Sequence, residues 1–218
     1  VDYITSNFFY QMEAEVAKRF FATASVGLNN TRSHITGTSK DAAQQMVVVD
    51  AQTNANPNGR LYPNLGASYL LAKSKEKGDW YAFGNYSTGS SAPALFEQYD
   101  YEEQALNADL KNEFARNVEF GVKGAGKLWF AELSIYNQQI FDAIVPNEEL
   151  FNGYYPTYAN AGKLVQQGLE VTARRTWDFE KSTLEAWTSG SWTNYQLENE
   201  SGTGRMPGMP MAQCNGGV

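Results

Sequence analysis

"YANAGKLVQQGLEVTARR", residues 158–175, carries two glycines six positions apart and, from Val165 on, an apolar residue at nearly every second position. Val165, Leu169, Val171 and Ala173 share one parity, while Gln166, Glu170, Thr172 and Arg174 share the other. Successive side chains of a strand point to opposite faces, so this is a strand with one greasy face and one wet face. Gly162 and Gly168 fall on the wet parity.

The same alternation recurs along the chain. Phe8, Tyr10, Met12, Ala14 and Val16 oppose Gln11, Glu13 and Glu15. After a bend at Ala17-Lys18-Arg19, the residues Phe20, Ala22, Ala24, Val26 and Leu28 oppose Thr23, Ser25 and Asn29. Two such runs with a short bend between them read as a β-hairpin. Residues 61–71 and 80–87 make a second pair. Residues 114–124 and 127–140, joined at Ala125-Gly126, make a third, and the opening stretch runs through "WDFEK" into 182–197 to make a fourth. Helical spacing fits nowhere over comparable length.

Short turns near residues 17–19, 72–79, 125–126 and 176–181 alternate with long polar links at about 30–60, 88–113, 141–157 and 198–207. Transmembrane β-barrels sort their connections in this way, and strands of ten or so residues cross a bilayer at a tilt. Period two alone does not separate a barrel, whose apolar face meets lipid, from a soluble β-sandwich, whose apolar face meets a second sheet.

Composition agrees with β-structure. The 218 residues include thirteen Tyr, twelve Phe and five Trp, with 19% charged residues and a formal charge of −7. That acidic balance lacks the basic stripe a nucleic-acid partner requires. Cys214 has no second cysteine, and the lone His34 excludes a multi-histidine metal site. No apolar run is long enough for a membrane helix. No motif for nucleophilic, zinc-hydrolase or phosphate-loop chemistry is present, so neither an enzyme nor a cofactor or metal site is expected. Three Asn-X-Ser/Thr matches, at Asn29, Asn85 and Asn199, read as chance.

The order of motifs resembles the C-terminal β-barrel region of TonB-dependent outer-membrane receptors. "LYPNLGASYL" and "WYAFGNYSTGSSAPALFEQY" are similar to paired strands that lead into a loop, with Pro93 at the loop's proline position. "LNADLKNEFARNVEFGVKG" resembles a strand entry that places Glu113, Asn117, Glu119, Gly121 and Lys123. "AELSIYNQQIFDAIVP" looks like the next strand, ending in an aspartate and an apolar run. "YANAGKLVQQGLE" matches through Asn160, Gly162, Gly168 and Glu170, and "GRMPGMP" looks like the entry to a further strand.

The resemblance implies an all-β, antiparallel up-and-down transmembrane barrel. Residues 1–218 would form part of it, with eight full strands and a ninth begun. Large barrels of this kind have about 22 strands around a plugged lumen, so the chain reads as an internal fragment. The plug domain, the energy-coupling segment and the terminal aromatic residue of the family are not in this stretch, and no arginine precedes Pro93.

The implied function is active uptake of a scarce solute, most often a ferric siderophore or other iron chelate, across the outer membrane of a Gram-negative bacterium. The implied partners are outer-membrane lipid and lipopolysaccharide, the protein's own plug, and a TonB–ExbB–ExbD system. A passive pore and a soluble carbohydrate-binding module remain the alternatives.

Asn160 would sit where a long outer loop enters its strand. Glu119 and Glu170 would face the lumen, paired with Arg, Lys or plug donors, because a bare carboxylate in a partly dry interior is costly. Inward glycines would either admit a plug surface or mark a bulge. Ligand contacts would come from loop aromatics Tyr99, Tyr101, Phe151, Tyr154, Tyr155 and Tyr158. Neighbouring acids Asp100, Glu102, Glu103, Glu148 and Glu149 would favour a cationic ligand or Ca²⁺. The plainer reading makes these residues an aromatic belt and a solvated rim. Lys18, Arg19, Lys73, Lys75 and Lys77 would lie at the periplasmic ends.

Overall fold

The structure is a computed structural model, which describes residues 2–40, 46–54, 60–100, 105–106, 110–151, 155–160, 162–199, 202–205 and 208–218. Its elements in chain order begin with β1 (Asp2–Ala17), β2 (Phe20–Lys40), β3 (Met46–Asn54), β4 (Leu61–Ala72) and β5 (Asp79–Ser91). A single helical turn α1 (Leu95–Gln98) and two short strands, β6 (Tyr99–Asp100) and β7 (Ala105–Leu106), come next. They are followed by β8 (Glu113–Gly126), β9 (Trp129–Phe141), β10 (Ile144–Phe151), β11 (Tyr155–Asn160), β12 (Lys163–Asp178), β13 (Thr183–Asn199), β14 (Gly202–Arg205) and β15 (Ala212–Gly217).

Eight long strands form one antiparallel sheet in the order β1-β2-β4-β5-β8-β9-β12-β13. β3 pairs with β2, while β14 and β15 both pair with β13. Every long strand therefore lies beside its neighbour in sequence, an up-and-down meander. Four short connections gather at one end, and the three links that carry β3, α1 with β6–β7, and β10–β11 gather at the other.

Among the described residues the only other sheets are the two-stranded β6–β7 and β10–β11 in the long links, so no second layer covers the apolar parity. Phe8, Tyr10, Phe120, Ile135 and Trp192 are each at least half exposed. Among the described residues no large side chain is fully buried. A soluble sandwich hides such residues between its sheets, and this fold does not. The opposite, polar parity is concave. Two grooves of about 500 and 490 Å³ run along it, from Phe21, Thr23 and Ser25 on β2 to Ser191, Thr193 and Tyr195 on β13.

Glycine–aromatic pairs hold the wall in register. Phe83 stands opposite Gly121, Tyr136 opposite Gly168, Phe120 opposite Gly84 and Trp80 opposite Gly124. In each pair the ring lies over the bare backbone: a Cβ at Gly121 would stand 2.6 Å from Phe83, and one at Gly124 would stand 2.7 Å from Trp80. Trp80 and Trp129 also contact each other, with centroids 5.2 Å apart. Trp129 Nε1 donates to Lys77 O at 3.1 Å, tying two short turns together.

Two sequence expectations change. The turn between β8 and β9 is Lys127-Leu128, not Ala125-Gly126. Gly124 and Gly126 are strand residues under tryptophan rings. The long polar links are also not strand-free, since β2 runs to Lys40 and pairs with β3 through nine positions, from Arg32↔Asn54 to Lys40↔Met46.

Candidate functional site

The cross-strand register explains the spacing of the family motifs. One transverse row on the concave face runs Thr23, Gly66, Asn85, Glu119, Tyr136, Gly168, Thr193. The next row toward the short turns runs Phe83, Gly121, Ser134, Glu170, Ser191. Glu119-x-Gly121 on β8 and Gly168-x-Glu170 on β12 thus interleave across β9. Each row thus sets one motif carboxylate two strands away from a motif glycine, Glu119 from Gly168 and Glu170 from Gly121.

Gly168 sits in an unbroken stretch of pairing with no bulge. The Tyr136 ring covers it and reaches on to β13, where the hydroxyl meets Thr193 Oγ1 at 2.7 Å. The space above this glycine is therefore filled by the wall itself. Gly162 is not in a strand. It lies in the bend before β12 with φ 52°, a left-handed conformation that glycine adopts without a Cβ penalty.

The two motif carboxylates differ in their contacts. Glu119 Oε2 accepts from Asn85 Nδ2 at 3.4 Å, a carboxamide rather than the cation expected. Glu170 has no hydrogen-bond partner among the described residues and faces the second groove. Between the grooves, Asn117 Oδ1 is buried without a partner among the described residues. Leaving such an acceptor unsatisfied costs on the order of 1–3 kcal/mol, and a donor from outside the wall would remove that cost.

The remaining motif residues gather at the long-link end. Asn160 Oδ1 accepts from Lys111 N at 2.8 Å, while its Nδ2 donates to Lys111 O at 3.0 Å and Asp142 O at 2.6 Å. One amide thus joins the start of β8, the end of β9 and the end of β11. Glu113 Oε1 accepts from Ile144 N at 2.9 Å.

The loop before β8 adds its own ties. Pro93 is buried, and its carbonyl accepts from Gln98 Nε2 at 2.7 Å. Glu97 closes the helical turn from Ala94 N at 2.6 Å, a capping contact. Phe96 then meets Tyr158 edge to face at 5.7 Å, setting α1 against β11. Asn160→Ala should leave the sheet standing but speed hydrogen exchange at the Lys111 amide by about thirtyfold. That equals about 2 kcal/mol for the lost contacts. Exchange at an unchanged rate would mean the amide does not tie these segments.

Of the loop aromatics, Tyr158 is in place against Phe96. Tyr99 pairs by its backbone with Leu106, and Phe151 with Tyr155 at the tip of the β10–β11 hairpin. The side chains of Tyr99, Phe151 and Tyr155, and the whole of Tyr101 and Tyr154, lie outside the described residues. So do the side chains of Asp100, Glu148 and Glu149 and the whole of Glu102 and Glu103. The sequence reading missed Phe96 and Tyr136. Both are aromatics at strand or loop positions whose partners only the register reveals.

Comparison with known proteins follows the same lines. The family model described as "TonB dependent receptor-like, beta-barrel" matches residues 2–215. Among solved structures, the ferric yersiniabactin uptake receptor FyuA from Yersinia pestis superposes with a TM-score of 0.70 at 16% identity, over 98% of this chain and 30% of that one. The FrpB iron transporter from Neisseria meningitidis gives 0.54 at 17% identity, over 89% and 26%. The RagAB peptide importer gives 0.57 at 11% identity, over 90% and 30%. The chain thus spans under a third of the length of each of these structures. No curated protein matches it.

Proposed function

The chain belongs to the TonB-dependent receptor family by its β-barrel, and from that premise we propose that it forms part of an outer-membrane receptor for energised uptake of a scarce solute. The observation that carries this reading is the inverted sheet, with its apolar face outward and exposed and its polar face concave. In water that apolar surface would be a large liability. In a bilayer it is the lipid contact.

The concave face suits a protein plug of the same chain. Its rows alternate hydroxyls, carboxamides and carboxylates, and the unpartnered Asn117 Oδ1 and Glu170 offer acceptors to a basic or amide-rich surface. The Phe96–Tyr158 contact and the Asn160 clasp would shape the mouth through which solute enters. A ferric siderophore or other iron chelate is the favoured cargo, in keeping with the named cargo of FyuA and FrpB. Remodelling of the plug by a TonB–ExbB–ExbD system would release it inward, a shift between capture and release states.

The test is uptake in the source bacterium. Deleting the gene should abolish accumulation of one ⁵⁵Fe-labelled chelate from a panel, and inactivating TonB should abolish the same uptake. If accumulation survives loss of TonB but not loss of the gene, the protein is a passive pore. If no chelate depends on the gene, the cargo is of another class.

A further inference from the structure

One transverse row of the outward face changes chemistry partway along. Met12, Ala24, Leu65, Tyr86 and Val118, in register from β1 to β8, are apolar or aromatic. The same row continues on β9, β12 and β13 as Asn137, Gln167 and Asn194. Three carboxamides thus stand side by side in a row whose other members suit lipid. None of the three has a side-chain hydrogen-bond partner among the described residues. The next outward row toward the short turns is apolar again, through Ile135, Leu169 and Trp192, which are 56%, 39% and 50% exposed.

Two aromatic levels set the depth of this row. Phe114 and Gly124 lie ten positions apart on β8. Gly124 carries the Trp80–Trp129 pair, and Phe114 stacks on Phe141 of β9 with centroids 6.2 Å apart. At about 3.4 Å per residue and a tilt of roughly 40°, the two levels are about 26 Å apart along the bilayer normal, the height of a barrel's apolar band. Asn137 lies four positions inside Phe141 on β9, about 10 Å along the normal at that rise and tilt. The tilt moves each neighbour in the row by about 3 Å along the normal, so Gln167 and Asn194 lie inside the band as well. Acyl chains offer a carboxamide neither donor nor acceptor, and an unmatched amide in hydrocarbon is costly. The protein's own remaining parts do not reach it, since a plug would fill the concave side and further strands would extend the edges of the sheet.

We infer that two copies of the receptor pair in the membrane through the outward face of β9, β12 and β13, with their carboxamide rows hydrogen-bonded to each other. The inference rests on the membrane reading above. A carboxamide carries both donor and acceptor, so the row is complementary to itself, and Asn and Gln side chains join membrane segments through such bonds. Both copies span the bilayer in one orientation, so a two-fold axis relating them runs along the normal. The order Asn, Gln, Asn reads the same in both directions. An axis at Gln167 therefore sets it against the partner's Gln167 and turns the asparagines of the two rows toward each other. Charge does not oppose the contact, because Lys163, the outward cation on β12 beyond the row, is matched by Glu198 at 2.9 Å. Leu169 and Trp192, exposed beside the row, supply the apolar anchor that an interface packs around its polar contacts.

The test counts copies of the full receptor in lipid vesicles, with one fluorophore per chain and photobleaching steps as the readout. The wild type should bleach in two steps at high dilution, and N137L/Q167L/N194L should need about tenfold more protein per lipid to do so. In a Cys214→Ser background, Gln167→Cys should give a disulfide-linked dimer on oxidation in the membrane. Leu65→Cys, in the apolar part of the same row, should give none. The cross-link decides alone if the triple variant does not fold. One-step bleaching of the wild type at every ratio, or a dimer that Gln167→Cys does not link, overturns the inference while leaving the membrane reading intact. Failure of the wild type to enter the bilayer overturns both.

Discussion

Gly168→Val in the intact receptor is expected to lose about 2–4 kcal/mol of barrel stability. A Cβ at this position would stand 2.6 Å from the Trp192 carbonyl oxygen and 2.7 Å from the Tyr136 ring. The carbonyl belongs to the paired strand and moves only if β13 moves. Relief must therefore come from the ring, whose hydroxyl would then leave Thr193. Overpacking costs about 1–3 kcal/mol, and the hydrogen bond adds about 1. Gly89→Val is the matched control, since a Cβ there meets nothing within 4 Å. The readout is the urea midpoint of receptor folded in vesicles. Equal midpoints for the two variants would mean that Tyr136 does not depend on the bare backbone of Gly168.

Phe120→Arg should cost a similar amount for a different reason. Phe120 is 59% exposed in the chain and lies between the two aromatic levels of the outward face. An arginine at the bilayer midplane costs about 2–4 kcal/mol on a barrel's lipid face. Gln138→Arg, on the concave face next to Asn117, should cost far less because the cation meets carboxylates and water there. The order of the two variants is the test. If Gln138→Arg proved the worse, the faces would be reversed and the membrane reading would fall with them.

Much of this wall is readable in one dimension. The alternation from Val165 to Arg174 names both faces of β12, and Glu119 with Glu170 falls on the concave face by parity alone. The sorting of connections identifies the meander because loop length survives without knowledge of register. What parity does not carry is the identity of cross-strand partners. Gly168 reads as a bulge or a place for a plug until Tyr136 is seen opposite it. Ala125-Gly126 reads as a turn because glycine is the commonest turn signal. Here the glycine is instead a seat for Trp129, and Lys127-Leu128 turns with no turn residue at all. The clasp of Asn160 was equally hidden, since its partners Lys111 and Asp142 are 49 and 18 residues away in sequence.

The placement of the short turns at one end has a kinetic consequence. Each joins two long strands by a few residues, so β1–β2, β4–β5, β8–β9 and β12–β13 are local hairpins with low closure entropy. The ladders β2–β4, β5–β8 and β9–β12 close only across the long links, at an entropic cost roughly 2 kcal/mol greater for each tenfold increase in loop length. Assembly therefore has an order written into its connectivity: four preformed ribbons, then the seams between them. Tyr136 over Gly168 and Trp80 over Gly124 both lie on such seams, so the glycine–aromatic pairs act at the late step, selecting which ribbon edge joins which.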